Sequence, residues 1–418
     1  MSNNKYRLLD IATFITLTLP VKYSFCALII LSIIYANRKG IHFNWKIVLL
    51  LIYITIGSLM MAVLIDYPCS KTIQQFFLIL VTYIFSANIV YYNKDRLSDF
   101  FSGFIISCYV LSIYIILMWF FNNIYVIGLA VSLKNIMREM VFSEASRISC
   151  TILGGLNYLL FSTKTQERVP QKMLILSSII ISNGSTAMLL STIIFLVYIC
   201  RTLIMNRTSI GIHLAIFGGT CLVVYIIFLS NDYILKDNID RTVNMITSTA
   251  TSFQSDSFDD LGEVNLSVMA SKKNYLVAKK APSRLFGTGL GTHTWNHDMI
   301  YGESIRDDNA YYYLNRMDAY SLLIRIFSEF GYVGVFLLFV LLAKSLNTKN
   351  LINTSCLWII ISYLLRGGHY TADGTILFFL LYSATSNHAQ KEVLSSSPIT
   401  RDCSTNKDVA FGQANRIA

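Results

Sequence analysis

Residues 47–65 read IVLLLIYITIGSLMMAVLI, nineteen positions with no charged side chain. At about 1.5 Å of rise per residue, that run approaches the roughly 20 residues a helix needs to cross a bilayer core. Similar runs recur along the chain, Gly334–Ala343 among them, parted by short polar segments. Of the 418 residues, 54% are apolar and 14% charged, with a mean hydropathy of +0.53. An ordinary soluble domain carries about 25% charged residues. The composition excludes a water-soluble enzyme, a disordered chain and a coiled coil. It predicts an all-α polytopic integral membrane protein.

Working outward, spans are expected near 8–19, 23–35, 46–65, 74–92, 98–121, 148–163, 173–182, 186–204, 211–230, 321–343, 350–365 and 375–388. That gives about twelve transmembrane helices (10–12), with both chain ends on one side. Leu8–Leu19 resembles a signal peptide, but no small-residue cleavage site follows, and Pro20 leads into Tyr23–Tyr35. The expectation is an uncleaved helical hairpin broken at Pro20, with one long kinked helix as the alternative. All five prolines are expected in connections or the tail. The ten residues 173–182 are short for a span and, with 186–204, suit a re-entrant pair around Asn183-Gly184-Ser185.

Net charge is +10, which in a soluble protein would suggest nucleic acid as partner. Here Lys and Arg sit in short loops beside spans, at Arg38–Lys46, Lys164–Lys172 and Arg201–Arg207. This is the positive-inside pattern of cytoplasmic loops, and it points to the lipid bilayer rather than nucleic acid. The chain divides into N-terminal transmembrane helices (1–230, with a smaller outer loop at 122–147) and one long outer loop (231–320). C-terminal transmembrane helices (321–388) and a polar inner tail (389–418) follow. Eight scattered cysteines, six of them in apolar stretches, specify neither a disulfide framework nor a metal knuckle.

Charge in or beside a membrane is costly unless paired or useful. Helical spacing would put Asp318, Ser321, Arg325, Ser328 and Glu329 on one stripe, with Arg325 and Glu329 four apart. They read either as a structural ion pair or as a positive head aimed into a cavity. Arg366-Gly367-Gly368-His369-Tyr370 fills a short outer loop. Its arginine offers a fork for phosphate and its histidine a proton-exchanging group. Arg147 stands at the mouth of the span near 148, either snorkelling to the interface or gripping phosphate.

Pro282-Ser-Arg284-Leu-Phe-Gly287-Thr-Gly289-Leu-Gly291 is a glycine-rich turn beside an arginine, suited to cradling an anion but lacking dinucleotide-site context. His293 and His297 have metal-ligand spacing without a strong third ligand, so no metal is expected. Asp256, Asp259 and Asp260 read as a solvated turn. Trp295 and Tyr311-Tyr312-Tyr313 are aromatic faces in the outer loop that suit sugar rings.

In order, Arg147 at a span entrance, a long outer loop, Leu285-Phe-Gly-Thr-Gly-Leu-Gly291 near its end and Glu329-Phe-Gly331-Tyr-Val-Gly334 resemble the O-antigen polymerase and ligase superfamily. Arg366-Gly-Gly-His-Tyr370 favours the Wzy-type repeat-unit polymerase. The sequence departs from superfamily patterns at Thr186, Tyr158 and Ser252, where arginine or glycine signatures are described. The resemblance implies a GT-C-like glycosyltransferase architecture in the bacterial inner membrane, its long loop and active site facing the periplasm. Its implied substrates are oligosaccharide repeat units on undecaprenyl pyrophosphate, polymerised into O-antigen or capsular polysaccharide without a cofactor or metal. A chain-length regulator and a flippase are the implied partners. Arg147, Arg366 and His369 are the expected catalytic residues, while Arg284, Arg325, Tyr370, Gly287 and Gly289 are expected to bind pyrophosphate or glycan. An O-antigen ligase acting on lipid A core and a lipid-linked oligosaccharide flippase are the alternatives.

Overall fold

A computed structural model describes chiefly residues 2–123, 145–162, 169–204, 266–306 and 315–386, apart from Pro20, Arg38, Asn183, Gly368, Ala372 and Asp373. The expected span 211–230, most of the loop 122–147, Asp256–Asp260, Tyr311–Tyr313 and the tail lie outside the described residues. The described helices are α1 (Ser2–Leu17), α2 (Val21–Ala36), α3 (Trp45–Leu64), α4 (Cys69–Asn93), α5 (Leu97–Asn123), α6 (Ala145–Phe161) and α7 (Val169–Ile181). The series continues with α8 (Ser185–Ile204), α9 (Leu266–Lys280), α10 (His293–Arg306), α11 (Leu322–Ser345), α12 (Leu351–Leu365) and α13 (Thr375–Ala384). Among the described residues three stretches are long and apolar enough to cross a membrane: Trp45–Leu64, Cys69–Trp119 and Leu322–Ser345. The protein is a helical membrane protein.

Small and polar residues set the packing, as expected where lipid removes the hydrophobic drive between helices. α6 and α12 run antiparallel: the Thr151 hydroxyl meets the Tyr363 hydroxyl at 2.7 Å, and Asn157 Nδ2 donates to Ser355 Oγ at 3.0 Å. Gly154 permits this approach, since a Cβ there would lie 2.5 Å from Ile359 Cδ1. Gly155 does the same on the other flank, where a Cβ would meet Cys108 Sγ of α5 at 2.7 Å. An ionic knot around buried Asp10 ties α1 and α2 to the turn Lys94–Arg96 that leads into α5. Asp10 takes both forks of Arg96 at 2.8 and 2.9 Å and a hydrogen bond from Tyr35 Oη at 2.7 Å.

Two local expectations change. Pro170 lies inside α7 rather than in the connection before it. It occupies the first turn, where the missing N–H has no helical partner to lose. Asp318 leaves the helical stripe because Ala319 and Tyr320 are left-handed (φ 61° and 65°), and α11 starts only after Ser321 caps it through Ile324 N. The long loop is also more structured than a plain soluble segment, since its helices α9 and α10 pack on α11.

Candidate functional site at the mouth of the bundle

The site is built on a break in α11. Gly331 has φ 62° and ψ −160°, a conformation open essentially to glycine alone. The break frees backbone groups that a membrane helix cannot leave unpaired. Tyr332 and Val333 donate their N–H groups to the carbonyls of Arg284 and Leu285 at 2.9 and 3.1 Å. In return, Gly289 N–H donates to the Glu329 carbonyl at 2.8 Å. The glycine-rich turn is thus wedged between α11 and α3. A Cβ on Gly287 would lie 2.3 Å from the Glu329 carbonyl oxygen, and one on Gly289 would lie 3.1 Å from Ser58 Cα. Leu290 N–H also donates to Ser58 Oγ at 2.9 Å. The amides of Gly289 and Leu290 are spent on the two helices.

Just before the break, Arg325 and Glu329 form a buried ion pair at 3.0 Å. Tyr370 completes it, donating its hydroxyl to Glu329 Oε2 at 2.8 Å while its ring lies 4.9 Å beneath the Arg325 guanidinium. One step outward, Arg147 reaches Asp318 at 3.4 Å, both side chains about one quarter exposed. Asp318 also accepts from Asn315 Nδ2 at 2.8 Å and from Tyr320 N–H at 3.2 Å. The turn that presents it holds three left-handed non-glycine residues, Asn315, Ala319 and Tyr320. Such conformations cost about 1–3 kcal/mol each and persist where the surroundings over-determine them. The second wall comes from the 366–371 loop, tied down by Gly367 N–H donating to the Tyr320 carbonyl at 3.1 Å.

His369 sits half-buried in that loop. Burial, and then the positive fields of Arg325 and Arg147, push its pKa down to about 4. Thr371 N–H donates to its Nδ1 at 3.3 Å, and the Thr371 hydroxyl lies 2.8 Å from the same atom. A neutral imidazole with Nδ1 accepting carries its proton on Nε2, so its other nitrogen is a donor. Arg325, Arg147, Asp318 and His369 therefore share one electrostatic neighbourhood. Arg366 is half-buried and caps α12, its N–H donating to Ser362 O at 2.7 Å. The Arg284 side chain is exposed, and its carbonyl serves the α11 break.

Beneath the mouth, an apolar groove of about 740 Å³ runs between α3 and α11. Tyr53, Gly57 and Met61 line one side and Val333, Leu337 and Leu341 the other, while Glu329 and Tyr370 close its polar end. In α3 and α11 only 22% of the apolar window is buried, against 56% in Cys69–Trp119, so the groove opens toward lipid.

Sequence reasoning missed Asp10 and the buried polar nest of α9 and α10. There His293 Nε2 meets Asn274 Oδ1 at 3.0 Å, and Asn296 Nδ2 donates to Ser328 Oγ at 2.8 Å. Burial, then Lys273, lowers His297 to about 4. Among the described residues no three His, Cys, Asp or Glu are grouped to hold a metal ion.

Fold and site together define a helical membrane protein with a charged mouth above a lipid-facing groove. Comparison with known protein families, curated proteins and solved structures finds no match for this chain.

Proposed function

We propose that the protein is a lipid-linked repeat-unit polymerase: a glycosyltransferase joining oligosaccharides carried on undecaprenyl pyrophosphate, at the periplasmic face of the bacterial inner membrane. The observation that carries this reading is the apolar groove between α3 and α11 ending on Arg325, Glu329 and Tyr370. A polyprenyl chain needs a lateral apolar seat, and its pyrophosphate needs cations at the head of that seat. The motif resemblance supplies the reaction class. About twelve spans in a GT-C-like arrangement, with the mouth facing outward, complete the proposal.

In the proposed reaction, a hydroxyl of the acceptor unit attacks the donor's anomeric carbon. The new glycosidic bond forms as the bond from that carbon to the pyrophosphate oxygen breaks, and lipid pyrophosphate departs with the electron pair. Arg147 and Arg325 stabilise the developing charge, with Arg366 as a further phosphate contact. His369 donates from Nε2 to a phosphate oxygen. Asp318, the more accessible of the two mouth carboxylates, takes the hydroxyl proton, a contribution typically worth about 10²–10⁴-fold. Chain-length regulation and repeat-unit delivery by a flippase are the expected partnerships.

The test is the surface glycan of a deletion strain. A single repeat unit on lipid A core is expected. Lipid-linked polymer with bare core would indicate a ligase, and loss of all exported repeat units would indicate a flippase.

A further inference from the structure

At the end of the bundle opposite the mouth, an open second pocket of about 670 Å³ lies between the ends of α6 and α8 and the turn that leads into α12. Its polar side is Arg201, Lys349 and Ser162, and its apolar wall is Tyr158, Phe161 and Leu351. Both cations are exposed; the Arg201 side chain is seated on a ring, and the Lys349 backbone is fixed in a turn. The Arg201 guanidinium lies 5.3 Å over the Phe161 ring, which leaves its N–H edge for other partners, and Tyr198 packs edge-on against that ring at 5.4 Å. Lys349 sits in a turn whose N–H donates to Asn347 Oδ1 at 3.2 Å. Asn347 is itself anchored through Asn353 Oδ1 at 2.8 Å and the Thr385 carbonyl at 3.1 Å. Among the described residues neither cation is paired with a carboxylate.

We propose that this pocket binds the phosphate headgroup of an anionic membrane phospholipid. Arg201 and Lys349 neutralise a phosphate diester whose charge the headgroup leaves uncancelled, unlike that of a choline headgroup, and Tyr158, Phe161 and Leu351 seat the start of an acyl chain. The shared chemistry is that of any phosphate, but a soluble ion would need only the cations. The aromatic and aliphatic wall in the same pocket, at the end of membrane helices, selects the lipid. This site is separate from the groove and does not depend on the proposed reaction. A basic residue at a membrane surface contributes about a fivefold preference for anionic lipid, so two contribute roughly thirtyfold.

The full chain, purified in detergent, is titrated with phosphatidylglycerol and with phosphatidylcholine of matched acyl chains, and adducts are counted by native mass spectrometry. Phosphatidylglycerol should bind in preference, and Arg201→Gln with Lys349→Gln should weaken it roughly thirtyfold, to the phosphatidylcholine level. Lys344→Gln, an exposed lysine in the last turn of α11 outside the pocket, should leave it unchanged. Undiminished phosphatidylglycerol binding in the double variant would overturn the proposal. So would displacement of the lipid by an equal concentration of inorganic phosphate, which would assign the pocket to a free ion.

Discussion

Arg147 and Asp318 lie at the water-exposed rim, where an ion pair is worth at most about 1 kcal/mol to the fold. Their substitution should therefore separate activity from stability. Arg147→Ala and Arg366→Ala should each abolish polymer in cells while membrane levels persist, and lysine should restore only part, because a point charge cannot grip phosphate bidentately. Normal polymer in either alanine variant would reduce that arginine to an anchor. His369 makes a sharper case. A histidine held near pKa 4 with its Nδ1 engaged is a poor base and a good donor. His369→Gln keeps an N–H donor and should retain turnover within about tenfold, whereas His369→Ala should lose about 10–100-fold, the worth of a hydrogen bond to a charged group. Asp318→Asn should cost about 10²–10⁴-fold. Turnover of purified lipid-linked repeat units reads all three, and a collapse in His369→Gln with normal Asp318→Asn would exchange the two roles.

At the scale of elements, the interlock of the glycine turn with the α11 break organises the site. Gly331→Ala must place a Cβ 2.4 Å from the Leu285 carbonyl oxygen in a conformation reserved for glycine. It should destabilise the protein by about 1–3 kcal/mol. Gly302→Ala, on α10 with nothing within 4 Å, should be neutral or slightly stabilising because alanine favours a helix. Thermal unfolding in detergent compares them, and equal midpoints would mean the break is relaxed. This element was half legible in sequence. Gly287, Gly289, Gly331 and Gly334 announce tight backbone, but whether a glycine turn holds an anion or another helix depends on what the fold brings against it. The i,i+4 spacing of Arg325 and Glu329 was local and readable. Asp318 was misplaced because two left-handed residues, Ala319 and Tyr320, end the helical register without a proline or glycine to mark it. Asp10 pairs with Arg96 across 86 positions, a separation no periodicity reveals.

For the whole molecule, composition announced the membrane because charge is scarce everywhere, whereas the buried histidines emerge only from the packed structure. His293, His297 and His369 all have pKa values lowered by burial from the ordinary 6.5. The unfolded chain therefore takes up more protons than the native one as pH falls below 6.5, so native stability should drop between pH 6.5 and about 4. Unfolding midpoints in detergent should be lower at pH 5 than at pH 7, and an unchanged or higher midpoint at pH 5 would contradict burial of these rings in the neutral form. The central claim is the joining of lipid-linked sugars. Its most direct test is to reconstitute the purified chain in lipid nanodiscs with an undecaprenyl-pyrophosphate-linked repeat unit and no other protein. The account predicts a ladder of lipid-linked oligomers with one free undecaprenyl pyrophosphate released per bond formed. A substrate that stays monomeric while the intact, folded protein binds it would contradict the account.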